Sequence, residues 1–516
     1  MSTAPLDPTT PLDPVAPVDP AAPLDSAEPV LAVRGLRVAR HDRRHPQRPP
    51  ILDGVSLTVA AGECLAIVGE SGAGKSVLTR TLLGLTQAEP GWDVAAEAFT
   101  LSGTDVRRAR PRTWRTLRGA TVSLVLQDAL QSLDPLRTIA AEVGETLTIR
   151  GIRGTARRTR VLQALRDAGL PHAELRASQR SDQLSGGMRQ RALIASALIG
   201  EPRLLIADEP TTALDPSTAS IILEEFRAIT ARGTALLLVS HDLGSVARVA
   251  DRIAVMDRGR IVETGSTAEL LADPQHPVTR RLIDSMPAGP KPGPPPAPGG
   301  TVLEMRGIHR RFPAHEGGTA ALVDVDLTLA RGEAVGVVGE SGAGKTTLAR
   351  VLVGAERVDS GTITRADPAL RIRLIPQDPL ATFDPRWRVE RILAASNRLP
   401  GTSTADLLRR VGLDPELAHR RPSTLSGGQR QRIAIARAIA ADPDVLVCDE
   451  PVSALDVSTQ AGILALLRDL QRERRLTLVF VSHDLAAVRA VTDRVLVMRD
   501  GRVVESGPTE AVLGGS

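Results

Sequence analysis

Four short motifs occur twice in this chain, in the same order, and that duplication restricts the possible folds more than any other property of its 516 residues. Gly69-Glu70-Ser71-Gly72-Ala73-Gly74-Lys75-Ser76 returns as Gly339-Glu340-Ser341-Gly342-Ala343-Gly344-Lys345-Thr346. Leu184-Ser185-Gly186-Gly187 returns as Leu425-Ser426-Gly427-Gly428, Asp208-Glu209-Pro210 as Asp449-Glu450-Pro451, and Ser240-His241-Asp242 as Ser482-His483-Asp484. The numbering offset is 270 at the two lysines, 241 at the serines of the second motif and 242 at the histidines. The first copy therefore carries its extra length between the first two motifs. We expect an inserted helical subdomain to vary there without disturbing a shared core.

The rest of the chain divides around the copies. Residues 1–29 repeat a proline–leucine/valine–aspartate theme (Pro5-Leu6-Asp7-Pro8, Pro11-Leu12-Asp13-Pro14), too poor in buriable surface to fold, and predict an extended, disordered tail. Residues 288–300 are dominated by proline and glycine and read as a semi-extended spacer. That leaves one domain over 30–287 and a second over 301–516. Short apolar runs at Cys64–Val68, Leu204–Ala207 and Ala235–Val239 predict buried strands, and Leu193, Ile194, Ala197 and Leu198 have helical spacing. The fold class is α/β: two tandem domains, each with a largely parallel central sheet and a helical subdomain.

The motifs carry chemistry. G-x-x-x-x-G-K-[ST] after an apolar strand and before a helix lets backbone N–H groups wrap phosphate oxygens. Lys75 and Lys345 then reach the outer phosphates, while Ser76 and Thr346 offer a hydroxyl to Mg²⁺. Lys291 is the one other lysine, in a chain that otherwise uses arginine, so both loops have kept a compact ammonium. Asp208 and Asp449 close apolar strands, where a carboxylate is costly unless it faces a cation or solvent; they are the expected Mg²⁺ holders. Glu209 and Glu450 follow directly and are placed to orient or deprotonate an attacking water. His241 and His483, each after an apolar strand and a serine, are candidate γ-phosphate contacts. Gln127 and Gln377 lie between the first two motifs and are candidates for contact with Mg²⁺ or the water. Ser185-Gly186-Gly187 and Ser426-Gly427-Gly428 each open a helix, whose free N–H groups can both be capped by the serine and grip a phosphate.

Loop, glutamine, Leu-Ser-Gly-Gly, Asp-Glu and Ser-His in this order resemble the nucleotide-binding domain of ABC (ATP-binding cassette) proteins, over nearly all of both halves. The resemblance implies P-loop NTPase cassettes paired head to tail around two ATPs, and an ATPase. Lys75 and Glu209 would then share a nucleotide with Ser426 and Gly428, and Lys345 and Glu450 with Ser185 and Gly187. Asp215 and Asp456, in Ala-Leu-Asp, resemble the loop joining the two sites. Phe312 matches the aromatic that stacks on adenine; Arg40 stands at the equivalent place in the first copy. Pro451-Val452-Ser453-Ala454-Leu455-Asp456-Val457-Ser458-Thr459-Gln460 and Asp273-Pro274-Gln275-His276-Pro277-Val278-Thr279 are similar to dipeptide/oligopeptide/nickel importer ATPases, although that family usually has tyrosine where Val278 stands. The second copy ends without a counterpart of the latter segment.

The resemblance implies two transmembrane permease subunits and an extracytoplasmic solute-binding protein as partners, with the chain peripheral at the cytoplasmic face. Residues Asp128–Pro135 and Asp378–Pro385 are the expected receivers of a permease helix. No apolar run approaches the ~20 residues of a bilayer span, and neither a secretory signal nor a lipidation motif is evident. Net charge is +4 with the charges dispersed, which argues against a nucleic-acid face. Cys64 and Cys448 sit in apolar runs and read as buried hydrophobes in a reducing compartment. A soluble twin-cassette factor acting on ribosomes is the alternative, disfavoured by the short, proline-rich spacer.

Overall fold

The computed structural model describes all residues except 1–27, 41–48, 127–131, 212–215, 287–288, 294–298, 313–318, 341, 454 and 515–516. All but the last two residues of the expected tail thus lie outside the described residues.

Each repeat is built on a six-stranded, mostly parallel sheet. In the first it contains β3 (Cys64–Val68), β7 (Val122–Val125), β8 (Leu204–Asp208), β9 (Ala235–Ser240), β10 (Arg252–Asp257) and β11 (Arg260–Ser266), ordered β11-β10-β3-β9-β8-β7. In the second, β14 (Ala334–Gly339), β16 (Ile372–Ile375), β17 (Val445–Asp449), β18 (Thr477–Val481), β19 (Arg494–Arg499) and β20 (Arg502–Pro508) follow the same order, β16-β17-β18-β14-β19-β20. Only β11 and β20 run antiparallel to their neighbours, β10 and β19. The three apolar runs picked from sequence are all strands. Their length of five or six residues, covered on both faces, is why they show no polar alternation.

β3 shows how the layers divide. Cys64, Ala66 and Val68 face a core shared with the helix Gly186–Leu198 and the helical subdomain, while Leu65 and Ile67 face a second, antiparallel sheet. All five side chains are buried, each of the larger ones stabilising by about 1.5–3 kcal/mol. The antiparallel sheet comprises β1 (Leu31–Arg40), β2 (Leu52–Val59), β4 (Trp92–Ala95), β5 (Ala98–Leu101) and β6 (Thr104–Asp105) in the first repeat. In the second it has three strands: β12 (Thr301–Phe312), β13 (Thr319–Ala330) and β15 (Ser360–Arg365).

This second sheet corrects one expectation. Val125 and Ile375 end equivalent strands, β7 and β16, and their numbering offset is 250, against 270 at the lysines and 241 at the signature serines. Most of the extra length therefore precedes β7, on the side of the antiparallel sheet, where the first repeat has β4 to β6 and the helix Pro111–Leu117 in place of β15. The helical subdomain varies less. It holds helices Ile139–Val143, Glu145–Ile149, Gly154–Asp167 and Ala173–Ala177 in the first repeat, and Val389–Ser396 and Thr404–Arg410 in the second.

Cys64 and Cys448 are free and fully buried, and burial pushes both thiols well above their ordinary range, so neither is a nucleophile or metal ligand. Phe480 is the largest wholly buried side chain on β18 and packs in the core beneath the helices Gly427–Ala440 and Val457–Arg474. Phe480→Ala should cost the second repeat about 3–5 kcal/mol. Urea denaturation followed by hydrogen exchange should show β17 and β18 losing protection first while β8 and β9 keep theirs.

Candidate active site

Each glycine loop connects a central strand to a helix, β3 to Lys75–Leu82 and β14 to Lys345–Leu352. The residue before each helix must take a left-handed conformation, φ 106° at Gly74 and 97° at Gly344. A Cβ at Gly344 would also lie 2.2 Å from the Ala321 carbonyl, so only glycine closes the loop there. Lys75 is 6% exposed and Lys345 7%. Each ammonium bonds to its own loop. Lys75 Nζ donates to the carbonyls of Gly69 (2.6 Å) and Glu70 (3.0 Å), and Lys345 Nζ to those of Gly339 (2.7 Å) and Glu340 (2.9 Å). Burial pulls the Lys75 pKa down, resisted by the charges of Glu209, Asp208, Asp456 and Glu70.

The acids sit where parallel strands end. Asp208 closes β8 and Asp449 closes β17, beside the loops. Burial, reinforced by the neighbouring glutamate, raises both carboxyls above the ordinary range. Asp449 is held by Thr346 Oγ1 at 3.3 Å, whereas Asp208 is held by Thr79 Oγ1 at 3.1 Å. Thr79 was not singled out from sequence; its partner is 129 residues away, and the equivalent Ala349 has no hydroxyl.

Glu209 and Glu450 follow in the left-handed region, each at φ 48°. A non-glycine residue there costs on the order of 1 kcal/mol, and the same strain in both copies marks a conformation the site requires. Each carboxylate meets the histidine of its own repeat: Glu209 Oε1 lies 3.3 Å from His241 Nδ1, and Glu450 Oε1 lies 3.3 Å from His483 Nδ1. Gln377 Nε2 completes the second cluster by donating to Glu450 Oε2 at 2.9 Å. Burial opposes the charge on Glu450, but the His483 hydrogen bond and the charges of His483 and Lys345 outweigh it and hold the carboxyl below its ordinary value. The same hydrogen bond raises His483 against its burial. Gln127, Ser341 and Asp215 lie outside the described residues.

Ser185 and Ser426 cap the helices Gly186–Leu198 and Gly427–Ala440. Ser426 Oγ accepts from Gln429 N at 3.3 Å, and Gln429 Oε1 accepts from Ser426 N at 3.1 Å; Met188 replaces the glutamine in the first repeat and only the 3.4 Å serine bond remains. Ser185, Gly186, Ser426 and Gly427 are exposed, so both helix starts are open to a ligand. Gly187 and Gly428 serve packing as well, since a Cβ would come within 2.5 Å of Thr218 Cγ2 and 2.4 Å of Thr459 Cγ2. The structure shows the capping, and the exposed starts leave room for a ligand as well. Phe312 ends β12 with the Arg310 guanidinium 4.8 Å from its ring centre, and Arg40 ends β1 with its guanidinium 5.7 Å from that of Trp92. Trp92 is Arg40's cross-strand partner on β4, a pairing that local sequence does not reveal.

A phosphate-wrapping loop, strand-end acids and a histidine on each of two α/β domains define a twin-cassette nucleotide hydrolase. The ABC transporter domain matches residues 52–212 and 322–453, and the chain belongs to that family as an ATP-binding, ATP-hydrolysing member. It is 40% identical to the peptidoglycan transport ATP-binding protein YejF of Agrobacterium fabrum, over 94% of this chain and 93% of the relative. Escherichia coli YejF, an uncharacterised ABC transporter ATP-binding protein, is 39% identical over 94% and 96%. The glutathione import ATP-binding protein GsiA of Pectobacterium atrosepticum is 38% identical over 94% and 87%. Among solved structures, an archaeal ribosome recycling factor, aABCE1, covers 92% of this chain and 90% of its own at a TM-score of 0.66. At 22% identity that likeness concerns the fold alone.

The Glu450–His483 pair sets a pH dependence. Glu450, depressed below 4.5, contributes stability that is present above that value and lost as pH falls through its lowered pKa. His483, raised above 6.5, contributes stability that is complete below 6.5 and lost as pH rises through its elevated pKa. The nucleotide-free second repeat should therefore lose stability as pH rises above 6.5, and His483→Gln should flatten that slope. Urea midpoints across that range check it; equal slopes would remove the pair from the account.

Proposed function

We propose that this chain is the energy-coupling ATPase subunit of an importer for peptides or similarly small solutes, with two hydrolytic sites shared between its repeats. The observation that carries the shared sites is electrostatic: Asp456, on the loop that opens the helix Val457–Arg474 of the second repeat, acts on buried Lys75 of the first. Asp456 is itself fixed by the Thr459 N–H at 2.9 Å and by Ser458 Oγ at 2.8 Å. This supports a head-to-tail pairing in which Lys75 and Glu209 work with Ser426 and Gly428, and Lys345 and Glu450 with Ser185 and Gly187. The solute class rests on relatives whose names specify peptidoglycan transport and glutathione import.

In each site the loop N–H groups and the lysine hold the outer phosphates. The hydroxyls of Ser76 and Thr346 and the carboxylates of Asp208 and Asp449 are hard oxygen donors that suit Mg²⁺, which takes few protein ligands alongside nucleotide phosphates. Among the described residues no three His, Cys, Asp or Glu side chains converge into a protein-only cage. Mg²⁺ would neutralise charge on the phosphates, and Gln127 and Gln377 are its further candidate contacts. Glu209 and Glu450, held by their histidines, orient and deprotonate the attacking water. Phe312 stacks on adenine in the second site.

No described helix is long and apolar enough to cross a membrane, so the stroke must pass to other subunits. We place two permease subunits at Asp128–Pro135 and Asp378–Pro385, a solute-binding protein on the far side, and this chain peripheral at the cytoplasmic face. The second of these segments is tied to the signature helix: Arg437 donates to the Thr382 carbonyl at 3.0 Å, and its guanidinium lies 4.8 Å from the ring centre of Phe383. A shift at that segment is therefore passed to Ser426.

The double variant Glu209→Gln with Glu450→Gln should bind ATP and lose about 10²–10⁴-fold in hydrolysis; near-normal turnover would remove these residues from the mechanism. Co-expressed with its membrane partners, the chain should sediment with membranes, and substitutions in Asp378–Pro385 should release it. Sedimentation with ribosomes instead would overturn the importer reading.

A further inference from the structure

Lys291 is the lysine that the nucleotide sites do not use, and it is not loose in a spacer. Its Nζ donates to Gln471 Oε1 at 2.6 Å and to Asp493 Oδ1 at 2.7 Å, partners 180 and 202 residues away. The Lys291 and Asp493 side chains are only 11% and 8% exposed. Gln471 Nε2 donates onward to the Gly332 carbonyl at 2.7 Å, and Asp493 Oδ2 accepts from Ala334 N at 2.8 Å, the first residue of β14. Arg472 adds a hydrogen bond to the Pro292 carbonyl. In the first repeat the equivalent Asp251 accepts from Cys64 N at 2.8 Å in the same way, so the backbone contact is common to both repeats and the lysine is an addition to one.

On the other side, the helix Pro277–Asp284 and Met286 pack against the core of the first repeat. Only residues 287–290 lie between that anchor and Lys291. From Met286 to Lys291 the chain spans at most about 17 Å; released as far as Gly300 it would span about 50 Å.

We propose that Lys291 is a positioning residue that makes the spacer part of the second repeat, so that a four-residue tether caps how far the repeats separate between ATP cycles. The cap keeps each signature helix at high effective concentration over the opposite loop. Effective concentration falls roughly as the −3/2 power of tether length, so release should raise the ATP needed to close the sites about five-fold with kcat at saturation little changed. The idea rests on the head-to-tail pairing proposed above.

The test uses the full-length chain with spin labels at exposed Arg160→Cys and Glu416→Cys, the native thiols being buried. Distances are measured by pulsed electron resonance with and without Mg-ATP, in the Glu209→Gln, Glu450→Gln background; ATP half-saturation of turnover is measured with both glutamates intact. Lys291→Met should broaden the ATP-free distances outward and raise half-saturation about five-fold; Lys291→Arg should recover part of both. Because Lys291→Met takes the ammonium from buried Asp493 and can destabilise the fold, a second variant keeps the dock and inserts six Gly/Ser residues after Ala288. It should raise half-saturation about three-fold. ATP-free distances and half-saturation at parental values in the insertion variant would overturn the tether, whatever Lys291→Met does. If ATP narrows the distances in none of the proteins, including the parent, the pairing itself fails.

Discussion

A buried ammonium set among buried carboxylates is the constraint on which the rest of this structure depends. Lys75 and Lys345 sit at the start of a helix, enclosed by glycine loops whose carbonyls accept from both. Desolvation makes such a group costly unless an anion enters. The strand-end acids face the mirror problem: Asp208 and Asp449 are pushed toward the neutral form by burial, with an acidic neighbour adding to the cost. Desolvated charges of both signs gathered in one place form a site that favours an anion bound together with a cation. ATP supplies the anion, and the proposed Mg²⁺ would supply the cation with it.

The parallel sheet is what delivers these groups together. In its order β10-β3-β9-β8 the loop follows β3, the histidine follows β9 and the acids close β8, so three chain segments far apart in sequence end at one edge. The second repeat reproduces this with β14, β18 and β17. Ligands in open parallel sheets bind beyond the carboxyl ends of the strands, and here every ligand-directed side chain of the core does so. The helix Gly186–Leu198 and its counterpart Gly427–Ala440 lie on one face of the sheet with exposed starts, as the proposed sharing of sites between repeats requires.

Sequence revealed what is local and missed what is distant. Both loops, the acids, the histidines and the serine caps are contiguous motifs whose chemistry reads directly from residue type and spacing. The parallel strands were legible because burial on both faces makes them uninterrupted apolar runs. The antiparallel sheet was not: β15 is exposed at every position, so it carries no hydrophobic pattern to detect. Trp92 beside Arg40, Thr79 beneath Asp208 and the docking of Lys291 all depend on partners brought in by the fold. Lys291 is the sharpest case, because proline and glycine around it are a sound local signal for a spacer and carry no information about Asp493.

The two copies are alike in their motifs, yet the groups behind those motifs differ, and the differences fall on one side. In the second repeat Thr346 bonds to Asp449, a full capping box closes the helix at Ser426, and an aromatic ring ends β12. In the first, Thr79 takes over the hold on Asp208, the capping box is reduced to one bond, and Arg40 with Trp92 stands where Phe312 has its ring. In a head-to-tail pair, however, each nucleotide is framed by the loop of one repeat and the signature helix of the other. The better-capped helix at Ser426 then serves the loop at Lys75, and the weaker cap at Ser185 serves the loop at Lys345. Each composite site thus combines one element from each style. On the proposed pairing, duplication with exchanged partners would spread the asymmetry over both sites, so that neither site takes all of one repeat's differences.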